Sequence, residues 1–116
     1  MSYSETQLST LAKENPKELA RVLSGSNIDV RTLTFGAEIL GGEVSDEEIV
    51  IPVLRRLLKH VNAIVREGAM LGVSAFYMEG KKPPQDVIER LRAMSKSDPA
   101  PSNRDTANSL LEEYAK

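Results

Sequence analysis

Three arginines, Arg31, Arg66 and Arg104, each open a run of helical character: "VRTLTFGAEIL", "VREGAMLGVSAF" and "NRDTANSLLEEY". The spacings between them are 35 and 38 residues. Aligned on the arginines, positions 65, 68, 69, 72, 73 and 76 of the second run fall on 103, 106, 107, 110, 111 and 114 of the third. In front of each run lies another apolar helical segment and a short turn. One such helix pair cannot hide its apolar faces alone, so a chain that repeats it must stack the copies. The repeat therefore predicts an all-α domain over residues 1–116. Its helix-turn-helix repeats are expected at about 4–42, 45–79 and 84–115.

The clearest single helix is "SDEEIVIPVLRRLLKHV". Ser45 and Glu48 read as a capping box. Ile49, Val50, Val53, Leu54, Leu57 and Leu58 then fall on one helical face. Pro52 lies past the first turn and is expected to kink or loosen the helix. The next helix starts near Ala63, with Val65, Gly68, Ala69, Gly72, Val73 and Phe76 inward. Its small residues predict a close helix neighbour, with Gly72 at the point of near contact. Upstream, Leu19, Val22 and Leu23 end a helix, and Val30, Leu33, Ala37 and Leu40 line the following one, which Gly41-Gly42 should stop. Downstream, Val87, Ile88 and Leu91 follow Pro83-Pro84, and Ser102 with Asp105 forms a cap-like start for the last helix. Ser4 and Gln7 suggest a capping box at the front, before either one kinked helix or two over residues 4–24.

Several classes of protein are disfavoured by composition. There is no cysteine, hence no disulfide framework and no thiolate metal site. The N-terminal "MSYSETQLST" lacks the pattern of a secretion signal, no apolar run approaches membrane-spanning length, and a cytoplasmic location is the expectation. Net charge is only −2, but residues 1–50 hold four basic and nine acidic side chains, while residues 51–116 hold eleven and eight.

These features resemble the HEAT-repeat family of α-solenoids. The residues that carry the resemblance are Val30-Arg31 and Val65-Arg66 opening second helices, Leu57-Leu58 closing a first helix and Pro52 within it. "SDPAPSNR" adds an Asp-Pro turn with Asp98 six residues before Arg104. At the matching position stand Gly25 and His60, departures from the family's ladder of Asp and Arg. The resemblance implies a short solenoid of three HEAT-like repeats whose second helices line a concave side.

No catalytic, cofactor-binding or metal-binding constellation is apparent, and the chain is read as a non-enzyme without cofactor. His60, the only histidine, reads as a turn residue or cap. The glycines form no phosphate loop. Two surfaces are candidates for partner binding. One is basic: Arg55, Arg56 and Lys59, excluded from their helix's apolar stripe, then Lys81, Lys82, Arg90, Arg92 and Lys96. Reversing Arg55, Arg56 and Lys59 together is expected to leave the fold intact. The other surface is apolar: Phe35 and Met70, which share a register position with Asn108, and Tyr77. The function expected is a protein-binding adaptor or inhibitor. The alternatives are a nucleic-acid-associated protein using the basic face over 55–96, as some HEAT-like folds resemble DNA-base repair enzymes, or an accessory subunit of an enzyme. Self-association through the ends of the stack is a further expectation; a membrane partner is not.

Overall fold

Asn15 divides the front of the chain. It ends α1 (Glu5–Glu14) and its side chain accepts from the Glu18 amide to cap α2 (Pro16–Leu23). Residues 4–24 are therefore two helices, the first opened by the expected Ser4–Gln7 capping box. Five more follow: α3 (Val30–Glu43), α4 (Glu47–Leu57), α5 (Ala63–Phe76), α6 (Gln85–Ser97) and α7 (Pro101–Tyr114). The structure is a computed structural model that describes residues 2–115, and no strand occurs among them. The all-α expectation is met. The chain forms two compact units, one up to Phe76 and one from Tyr77 onward. No described helix is long and apolar enough to cross a membrane.

In the first unit α3 is central, touching α1, α2, α4 and α5. Thr34 lies against Gly68 and Ala37 against Gly72, so α3 and α5 run parallel. Tyr3 donates its amide to the Thr32 hydroxyl, and the Ser9 hydroxyl donates to Glu43, so α1 runs parallel to α3 as well. Behind them α2 packs on α4. Leu8, Leu19, Leu23, Leu40, Leu54, Leu57, Leu58 and Val65 fill the interior.

The expected near contact at Gly72 is present. A Cβ there would lie 2.5 Å from the Ala37 carbonyl oxygen, and one at Gly68 would lie 2.7 Å from that of Thr34. Gly41 faces the Gly72 backbone so closely that any Cβ would collide with it. Gly41-Gly42 does not stop α3, which continues to Glu43; Gly41 is there to admit α5, not to terminate its own helix. Two further expectations need correction. Asp46, not Ser45, caps α4, because its carboxylate reaches the Glu48 amide. The helix also runs through Pro52 without interruption, since the ring removes only the bond to the carbonyl of Glu48, an exposed residue near the helix start.

The second unit is the antiparallel pair α6 and α7. Ile88 and Arg92 of α6 and Leu111 and Tyr114 of α7 line one cleft. The start of α7 differs from expectation. Ala100 precedes Pro101 at the first helical position, and neither Ser102 nor Asp105 caps the helix. The Asp98 side chain takes the Ala100 amide instead. Burial, with the charge of Glu113, pushes the Tyr114 phenol up to about 12. An unfolded tyrosine ionises near 10. Between those values the folded state holds a proton that the unfolded chain has lost, so stability falls as pH rises. The slope is at most about 1.4 kcal/mol per pH unit. Denaturation series at rising alkaline pH should show this decline, and Tyr114→Phe should flatten it.

Candidate functional site

Two of the three repeating arginines serve the turns, by a device that the sequence spacing only hints at. Arg66 is buried and donates from Nη1 to the carbonyl of His60, 2.8 Å away, and to that of Val61, 3.0 Å away. Arg104 donates from Nη1 to the carbonyl of Asp98 at 2.7 Å. Each arginine therefore binds the main-chain oxygen of the residue six positions before it. The side chain at that position does a second job. Asp98 Oδ1 accepts from the amide two residues on, that of Ala100, at 2.9 Å. His60 Nδ1 accepts from the amide of Asn62 at 3.0 Å. His60 thus replaces the aspartate as a turn acceptor, and the arginine still finds its carbonyl. Gly25 has no side chain to act as the turn acceptor, and Arg31 is exposed, stacked 5.6 Å over the Phe35 ring. His60→Asp should fold with nearly unchanged stability, whereas His60→Ala should lose about 1 kcal/mol. Equal losses in thermal or chemical unfolding would show that the imidazole is not acting as an aspartate substitute.

Of the apolar candidates, Met70 is fully buried and Tyr77 is 3% exposed, which removes both from any binding surface. Position 70 is off the 65–68–69–72–73 stripe, yet its side chain is fully enclosed. Phe35 is half-buried. Among the basic candidates, Arg55 and Arg90 are half-buried and Arg92 is exposed. Arg55, Arg56 and Lys59 belong to the first unit; Arg90 and Arg92 belong to α6. Arg56 is not a loose surface charge. Its guanidinium donates to the carbonyls of Leu23 and Ser24, both at 2.8 Å, closing the C-terminal end of α2. Reversing Arg55, Arg56 and Lys59 together would therefore remove a structural contact, contrary to the sequence expectation; Lys59 alone is the neutral position to reverse.

Arg56 borders a cleft of about 460 Å³ between the α2–α3 turn and the α4–α5 turn. Leu23, Leu33 and Leu57, all nearly buried, form its floor. Arg56, Lys59, His60 and Val61 are on its walls, and no carboxylate of the described residues lines it. Because His60 Nδ1 accepts the Asn62 amide, a neutral ring carries its proton on Nε2 and offers a further donor. Asn62 also caps α5, accepting from the Ile64 and Val65 amides. This fixes the two residues that sequence reasoning missed. Val61 is 94% exposed and Ile64 58%, the most exposed large apolar side chains described. The available signal was that both lie outside the inward stripe of α5. Farther along α5, Glu67 faces Glu38; burial, then Glu67 and Glu5, push the Glu38 carboxyl above the ordinary range.

Among the described residues no group of three or more His, Asp or Glu is placed to hold a metal ion. No protein-family model matches the chain, and no curated protein or solved structure matches it either.

Proposed function

We propose that this chain is a non-catalytic protein-binding module, an adaptor or inhibitor built on a short stack of HEAT-like helix pairs. Two features support the stack. Helices α1, α3 and α5 lie parallel in one layer of the first unit, and the turns before α5 and α7 share the same arginine-to-carbonyl device. The binding role rests on one observation: Val61 and Ile64 stand uncovered at the α4–α5 turn, beside a cleft with cationic walls. Exposed apolar side chains next to rigid charged donors are the usual makings of a protein contact. The competing nucleic-acid role is less well supported, because Arg66 is buried with its guanidinium on main-chain carbonyls and the remaining basic residues of 55–96 are divided between the two units.

The test is a photo-crosslinking residue in place of Val61, exposed to native extract, with the same residue at Lys13 on α1 as control. A discrete protein adduct from position 61 alone is the expected result. Adducts with nucleic acid alone, or no difference between the two positions, would remove the basis for this function.

A further inference from the structure

Resting on that reading, we propose that the α4–α5 turn receives an acidic amphipathic segment of a partner protein. Its apolar side chains would cover Val61 and Ile64, and its carboxylates would meet Lys59, Arg56 and the His60 Nε2–H. The argument is one of charge complementarity at a surface with an uncovered apolar centre. Lys59 is exposed, and among the described residues no carboxylate lines its cleft. Arg56 is held in place by the Leu23 and Ser24 carbonyls, which leaves its other N–H donors for a ligand and spares the ordering cost on binding. Two carboxylates close in sequence to the lining residues do not compete. Asp29 is engaged with the Thr32 amide as the cap of α3, and Glu67 lies one turn beyond Ile64, toward Glu38. Glu67 also sets the limit of the site, because an acidic segment is repelled there and must run from Ile64 toward Lys59. A cleft of about 460 Å³ admits one or two side chains, which an extended or helical segment can supply.

The experiment uses the whole chain, isotopically labelled, and follows amide resonances during titration with a short peptide of alternating leucine and glutamate pairs. Expected are shifts concentrated at Val61, Asn62 and Ile64, binding about fivefold weaker for the version with glutamine in place of glutamate, and progressive loss with salt. Lys59→Glu should weaken the acidic peptide while leaving the spectrum of the free protein otherwise intact. Val61→Ser should weaken both peptides alike. Equal affinity for the glutamine version, or no shift at these amides, would overturn the proposal. So would a single-stranded oligodeoxythymidine that moves the same amides when the peptide does not. A protein adduct at position 61 combined with a silent peptide titration would reject the acidic segment and leave the protein-binding role standing.

Discussion

Gly41→Ala should lower the stability of the first unit by about 3 kcal/mol or more, while Gly42→Ala should leave it unchanged or raise it by up to about 1 kcal/mol. The two glycines are neighbours in one helix, so propensity predicts a gain at both. Their surroundings differ. A Cβ at Gly42 would meet only the Ala75 methyl at 3.9 Å, an ordinary contact. A Cβ at Gly41 would enter the backbone of Gly72. Backbone cannot rotate out of the way as a side-chain tip can, so α3 and α5 would have to move apart. That movement would also loosen the contacts at Thr34–Gly68 and Ala37–Gly72, because all three lie along one parallel crossing. Gly36→Ala gives an internal scale. There the obstacle is the end of the Leu23 side chain, which can shift, and the loss should be smaller. Chemical denaturation of the three variants decides the matter; a stabilised Gly41→Ala would mean that the two helices do not meet as closely as described.

That crossing was half legible in the sequence. The uniformly small positions 68, 69 and 72 announce that something comes close to α5, and Gly72 was placed correctly from them. Gly41-Gly42 carries the same message but reads as a helix stop, because a pair of glycines at the end of an apolar run has two physical uses. Only the partner helix separates them. Helix starts show a similar ambiguity. Ser45 and Asp46 are both competent caps, and one residue of backbone geometry selects the aspartate. The binding surface was the least legible part. Periodicity identifies what faces the first neighbour of a helix, but it cannot reveal a second. Met70 therefore looked available although it is enclosed. Arg56 shows the converse problem: it lies off the apolar stripe of α4, as expected, but its carbonyl partners are more than thirty residues away in sequence. Val61 and Ile64 lie off the inward stripe of α5, and periodicity alone does not tell whether an apolar residue off the stripe is covered by another element.

The three register-matched arginines should differ sharply in what their loss costs, and this separates a structural repeat from a repeated binding site. Methionine in place of arginine keeps much of the stem's packing and deletes the donors. Arg66 is 7% exposed and holds two carbonyls of the α4–α5 turn. Hydrogen bonds from a charged donor contribute about 1.5–3 kcal/mol, and carbonyls left without a partner cost more when buried. Arg66→Met should therefore lose about 3 kcal/mol. Arg104 is half-buried and is bound to one carbonyl, that of Asp98, so about 1.5 kcal/mol, the lower end of that range, is expected. Arg31 is exposed and only stacks on Phe35, an arrangement that contributes about 0.5 kcal/mol at such a site. Amide hydrogen exchange resolved helix by helix is the appropriate measurement, since Arg104 lies in the other unit. The order Arg66, Arg104, Arg31 is the expected result. Three equal and small effects would instead place all three guanidiniums on a ligand-facing surface. Because Arg66 grips the carbonyls of His60 and Val61, its loss should also disorder the turn that presents Val61. Arg66→Met is therefore expected to abolish crosslinking from position 61 at temperatures where most of the first unit is still folded.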